Sequence, residues 1–145
     1  MVEEVVFDSS VIVSAFVKGE RFRQKATAAL KKVFAGEHLA ILSTIVPVEV
    51  CGSISRRVGV KEAQRVGSQL VKWQNMGLIT YLELDLKRRE QAKELAIKFQ
   101  LRGMDAIVVQ AAVERKCSFI TFDEEVAERV KGTVEVLTYQ DLPAN

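Results

Sequence analysis

Four carboxylates in this sequence stand where an acid can do chemistry. Asp8 directly follows the apolar run Val5-Val6-Phe7, and Asp123 follows Ile120-Thr121-Phe122. Acids beyond the carboxyl ends of strands sit where open α/β sheets bind their ligands. Glu49 shares a helical face with Val46, Val50 and Ser53, and Asp105 lies in the first turn of a helical stretch, on the side of Val108, Val109 and Ala112. Taken singly, each has a plain structural reading: a turn or helix cap for the aspartates, a side chain reaching the surface for Glu49. Taken together, four acids on apolar faces and strand ends would repel one another unless a cation neutralised them. An all-oxygen donor set suits Mg²⁺ or Mn²⁺. Cys51, Cys117 and the single histidine, His38, are too few for a tetrahedral zinc site. The chemistry such a cluster favours is metal-assisted phosphodiester hydrolysis, in which the cation activates water and steadies the developing charge.

The elements that must position these acids can be read from periodicity. A buried strand is predicted over 5–7, and 11–16 continues either as a short helix or as an extended run. Apolar residues then recur at helical spacing from Phe22 to Phe34, and Gly36 closes that helix. A second strand is predicted over 39–42. Ser43 and Thr44 are the expected N-caps of a helix to about Arg57, with Pro47 tolerated in its first turn. Another helix starts at Lys61 with Ala63, Val66, Gly67, Leu70 and Val71 on one face, and Asn75 and Gly77 end it. A strand over 78–84, a helix over 87–100 and a helix from Gly103 follow. The chain closes with a strand over 118–122, a helix over 123–131 and a strand over 134–136. Short, wholly apolar strands alternating with helices predict an α/β fold, a three-layer α/β/α arrangement around a central, mainly parallel sheet.

Length and composition agree. The 145 residues suffice for a single domain over 1–145, and 48% apolar with 28% charged residues supports a packed core rather than disorder. Eight Gly and two Pro exclude collagen-like or linker-rich architecture. No apolar run approaches the roughly 20 residues of a membrane span. The acidic start, MVEEVVFDSS, lacks the basic stretch of a signal peptide, so a soluble cytoplasmic protein is expected. A net charge of +2 is no nucleic-acid signature by itself, so any basic binding surface must be a local patch.

Four segments carry a resemblance: VVFDSSVIVSAF around Asp8, STIVPVEVCGSISRR around Glu49, LRGMDAIVVQAAVE around Asp105 and SFITFDEEVAERV around Asp123. In order and spacing they resemble the four acidic motifs of the PIN-domain ribonucleases. The overall look is that of the VapC-like toxins of prokaryotic toxin–antitoxin pairs. The resemblance implies that Asp8, Glu49, Asp105 and Asp123 are the catalytic, metal-binding acids of a Mg²⁺- or Mn²⁺-dependent endoribonuclease. It implies that Ser9 and Thr121 orient carboxylates or water behind them. It further implies an RNA substrate, a small antitoxin partner and a homodimer. One departure is Val126, which stands where the family often has an aromatic residue. Glu124 and Glu125 crowd Asp123 and read as a solvated helix start.

The rival readings are three. Aspartyl-phosphate chemistry also uses an acid after the first strand, but one such pattern wants a second acid where Ser10 stands. A PIN-like module that only binds RNA or protein, and a housekeeping RNA-processing nuclease, are the others. Two basic clusters, Arg56-Arg57 with Lys61 and Arg65, and Lys87-Arg88-Arg89 with Lys93, are candidates to meet RNA or an acidic partner, with solvated helix faces as the simpler reading. Trp73 and Phe99 read as core or dimer contacts, and His38 as a loop residue before a strand.

Overall fold

Central to the fold is a strand with no polar side. The computed structural model describes residues 2–143. In β1 (Glu3–Phe7) the consecutive residues Val5, Val6 and Phe7 are all buried, so both faces of the strand are covered. The chain continues through α1 (Ser9–Phe16), α2 (Arg23–Phe34), β2 (His38–Ser43), α3 (Val46–Arg57), α4 (Val60–Asn75) and β3 (Ile79–Leu82). Then follow α5 (Leu86–Phe99), α6 (Gly103–Arg115), β4 (Ser118–Ile120), α7 (Glu124–Val130), β5 (Val136–Leu137) and a 3₁₀ turn over Tyr139–Asp141. The strands run in the order β3-β2-β1-β4-β5, every neighbouring pair parallel. The progression runs outward from β1 to β3, then returns to place β4 on the other side of β1. That reversal opens a crevice at the carboxyl ends of β1 and β4, the place where doubly wound sheets take their ligands.

Two helical layers cover the sheet. Helix α6 crosses β1, β2 and β4, with α5 packed on it, while α1 to α4 form the other layer. Ala106, Ala111 and Ala112 on α6 are buried beside Val108 and Val109, so small side chains let this helix lie close on the strands. Trp73 of α4 stacks on Phe16 of α1 and meets Phe34 of α2 edge-on, with ring centroids 5.5 and 5.1 Å apart, which seals the seam of the other layer. Among the described residues no helix is long and apolar enough to cross a membrane.

The sheet and the helices fall where periodicity puts them, and residues 11–16 resolve as helix. Several boundaries differ. Helix α3 is preceded by Ile45, not capped by Ser43 or Thr44. Ser43 stays extended because it pairs with Leu82 in the β2–β3 ladder, and Thr44 Oγ1 accepts the Leu84 amide at 3.3 Å. Val71 is exposed, because α4 docks through the narrower stripe Ala63, Val66 and Leu70. His38 is the first residue of β2, opposite Glu3, rather than a loop residue. The last strand is displaced to Val136–Leu137, since Val134 is drawn into an isolated bridge with Lys131.

Candidate active site

Asp8 ends β1 and occupies the N-cap position of α1, yet its side chain caps nothing there. It is buried, only 5% exposed. One of its oxygens, Oδ2, accepts hydrogen bonds from Ser10 Oγ at 2.7 Å and Thr121 Oγ1 at 2.8 Å. Each hydroxyl also accepts a backbone amide from the β4–α7 connection: Ser10 Oγ that of Phe122, Thr121 Oγ1 that of Asp123, both at 3.1 Å. Two hydroxyls thus tie the end of β1 to the loop that carries Asp123. Burial pushes the Asp8 carboxyl up, and the Glu49 charge adds to this, while the Ser10 and Thr121 hydrogen bonds oppose it.

The other three acids arrive from separate elements. Glu49, in the first turn of α3, accepts a 2.5 Å hydrogen bond from Ser9 Oγ. Asp123 precedes α7 and caps it, with Oδ1 accepting the Val126 amide at 3.1 Å. The capping reading is therefore real for Asp123, and it engages only one oxygen. Asp105 sits in the first turn of α6, half-buried. Burial, and after it the charges of Asp8, Asp123 and Glu49, push its carboxyl up to about 6, with Arg102 alone pulling it down. Asp105 thus feels all three of the other acids.

All the donors here are carboxylate oxygens, which fits a hard divalent cation. His38 and Cys117 lie at the opposite, amino edge of the sheet, beside Glu3 and Ser118. Among the described residues, no three acidic, histidine or cysteine side chains already stand together tightly enough to ligate one ion. Three of the four acids are anchored by hydroxyl or amide donors.

A cavity of about 460 Å³ opens beside Ser9 and Glu49, and a small one of about 50 Å³ lies between Asp105, Asp123 and Arg102. A larger hollow of about 580 Å³ is at the amino edge. There Arg115 pairs with Glu4, and Glu135 accepts a hydrogen bond from Ser118 Oγ.

Arg56 and Arg57, in the last turn of α3, line the cavity beside Glu49 and are exposed. Arg57 reaches Glu20 at 3.1 Å. The second basic cluster is largely consumed by its own neighbours. Arg88 makes a two-pronged pair with Glu114, both distances 2.9 Å, and Arg89 and Lys93 hold Glu90. Glu124 and Glu125 are exposed and engaged by Tyr139 and Arg129, as a solvated helix start requires. Val126 is buried in the core. Sequence reasoning missed Ser10, Arg102, Arg21 and Phe22. Only Ser10 carried a signal, as the second hydroxyl of Asp8-Ser9-Ser10.

The PIN domain family model matches residues 5–132. No curated protein sequence matches the chain. Among solved structures, VapC20 of Mycobacterium tuberculosis, a toxin that cleaves the sarcin-ricin loop, superposes with a TM-score of 0.72 at 18% identity, covering 91% of this chain and 98% of that one. VapBC2 of Rickettsia felis, solved on a promoter DNA fragment, gives 0.70 at 13% identity over 93% and 98%. A toxin–antitoxin complex from Klebsiella pneumoniae gives 0.65 at 19% identity over 93% and 97%.

Proposed function

The chain belongs to the PIN domain family, and from that premise we propose that it is a divalent-metal-dependent endoribonuclease, the toxin of a type II toxin–antitoxin pair. One observation carries the reading: the Asp105 side chain makes no hydrogen bond among the described residues and stands in the field of three other carboxylates, with its carboxyl pushed up to about 6. A capping acid needs no such company. A cation site does.

Asp8, Glu49, Asp105 and Asp123 would hold Mg²⁺ or Mn²⁺. The ion, when bound, lowers the pKa of water and neutralises charge on the phosphate. The chain's own groups do the positioning. Ser10 and Thr121 fix the Asp8 carboxylate from behind, and Ser9 fixes Glu49. The Asp8–Thr121–Asp123 connection sets the separation of two acids that arrive from strands 113 residues apart in sequence at the Thr121–Asp8 bond. Asp105, the least tethered acid, is free to adjust to ion and substrate. Hydrolysis adds water across a P–O bond of the RNA backbone and leaves one phosphate-ended and one hydroxyl-ended fragment.

The setting is supported by the neighbours named above, which are toxins or toxin–antitoxin complexes. The reading takes 1–145 as one PIN-like nuclease domain, acting in the cytoplasm as a homodimer and held in check by a small antitoxin. The test is direct. Purified protein should cut RNA with Mg²⁺ or Mn²⁺ and stop in EDTA, and Asp8→Asn should abolish cutting while the fold survives. Cutting that persists in EDTA, or in Asp8→Asn, refutes it.

A further inference from the structure

The cavity beside Glu49 has two unlike walls. One is cationic: Arg21, Arg56 and Arg57. The other is aromatic: Phe22 and Phe122, which meet edge-on with centroids 5.6 Å apart. Phe22 is set by Tyr139, stacked on it at 4.0 Å and 15° between planes. The Arg21 guanidinium lies 4.8 Å from the Phe22 centroid and 6.0 Å from that of Tyr139. The second distance is too short for Arg21 to lie on the face of Phe22 opposite Tyr139, so it straddles the pair. Arg57 is paired with Glu20, whereas Arg21 and Arg56 have no carboxylate within ion-pair reach among the described residues. Ser9 and Glu49 also line the cavity, so it borders one of the four acids.

We propose that this cavity is a nucleotide subsite for single-stranded RNA, in which a base one step from the cleaved bond stacks on Phe22 while Arg21 and Arg56 hold the adjoining phosphate. The inference rests on the nuclease reading above and adds the residues that grip the substrate. At about 460 Å³ the cavity is within the range of small-ligand sites. A planar base needs an aromatic face, and its phosphate needs unspent cations within one nucleotide's length; the two walls supply both. An acidic peptide would use the arginines and leave the aromatic wall without a role. A base in a duplex is stacked within its helix, which is why the subsite selects unpaired RNA.

The probe is a labelled octanucleotide of mixed sequence, titrated in Ca²⁺ to neutralise the acids, with and without 2-aminopurine at successive positions. The parent should bind it and quench the fluorophore at one position. Phe22→Leu should weaken binding about tenfold and restore the fluorescence, and Phe22→Tyr should retain both. Arg21→Ala, which removes an exposed side chain and so tests the site without risk to the fold, should weaken binding and leave the quench of bound RNA unchanged. Equal affinity in parent, Phe22→Leu and Arg21→Ala, or no quench at any position, overturns the subsite and leaves the cavity to a protein segment. Cleavage of total RNA is measured alongside. Intact cleavage with unmoved affinity sinks the subsite alone, while absent cleavage with the predicted binding losses sinks the nuclease reading and keeps the subsite.

Discussion

Asp105→Asn separates a cation site from an ordinary helix start, because the two readings predict opposite signs. In the parent, without metal, ionised Asp105 is held against burial and three like charges, its carboxyl raised from 3.8 to about 6. Taken at face value, that shift corresponds to about 3 kcal/mol of destabilisation at neutral pH. The group is half-buried, so solvent screening reduces this to about 1–1.5 kcal/mol. Asp105 also lies in the first turn of α6, where losing a negative charge costs about 0.3–1 kcal/mol. The net expectation for Asp105→Asn in EDTA lies between no change and a gain of about 1 kcal/mol, a rise of at most roughly 3–4 °C in melting temperature for a chain of this size. Metal reverses the order. At a hundredfold excess over its dissociation constant, a cation stabilises the parent by about 2.7 kcal/mol, or roughly 8–10 °C, and most of that rise should vanish in Asp105→Asn. Paired calorimetric melts in EDTA and in Mn²⁺ give all four numbers. A mutant less stable than the parent in EDTA, with an undiminished metal response, would refute the cation site at Asp105.

Four further outcomes follow from the same geometry. The stability gap between parent and Asp105→Asn in EDTA should be absent below about pH 4 and open as pH rises to about 6, because the folded state holds the extra proton in that window and loses stability as it is given up; a pH series of melts reads this. For the same reason Mn²⁺ affinity, by titration calorimetry, should weaken on going below about pH 6, where the proton competes for Asp105. Thr121→Val should lose most cleavage and about 1–2 kcal/mol of stability, since a buried donor to Asp8 and an acceptor for the Asp123 amide go together; denaturant unfolding and an RNA-cleavage assay check the pair. Arg56→Ala, which removes a charge with no ion-pair partner among the described residues, should flatten the salt dependence of RNA binding by about 0.7 for each phosphate released, whereas Arg89→Ala with Lys93→Ala should leave it unchanged, their charges being spent on Glu90.

What was legible in the sequence is what local periodicity dictates. Asp8 and Asp123 stand out because a buried apolar run ends at each, and Glu49 and Asp105 because helical spacing puts them beside buried valines. Alternation of apolar strands with helices fixed the layers of the sheet in advance. The misplacements are cases where backbone pairing outweighed a local preference. Ser43 is a good cap by type, but its pairing with Leu82 keeps it in the strand, so the helix starts later at Val46. Val134 has the β-branched side chain of a strand residue, yet it bridges Lys131 and the ladder begins two residues on. The Phe22–Tyr139 stack joins the two ends of the chain, and no window of sequence contains both residues.

The hydroxyls behind Asp8 were only half legible, and the reason bears on how the site works. A carboxylate at 5% exposure is costly to ionise unless donors meet it. Thr121 and Ser10 meet a single oxygen of Asp8, Oδ2, and both are themselves fixed by amides of the β4–α7 connection. The second oxygen, Oδ1, accepts no side-chain hydrogen bond among the described residues. Asp123 shows the same economy, with Oδ1 spent on the Val126 amide and the other oxygen uncommitted. Glu49 repeats it through Ser9. Three acids are thus each anchored by one oxygen and leave one available, while Asp105 leaves both. An array in which donors take one oxygen of each carboxylate restrains the acids against their mutual repulsion without using up the other. Replacing Ser10 and Thr121 together should therefore harm the site through Asp8 and Asp123 at once, with a loss of activity smaller than the product of the two single losses, because the second change acts on a carboxylate the first has already released. Losses that multiply would mean that the two hydroxyls act separately, and the shared-anchor account would fail.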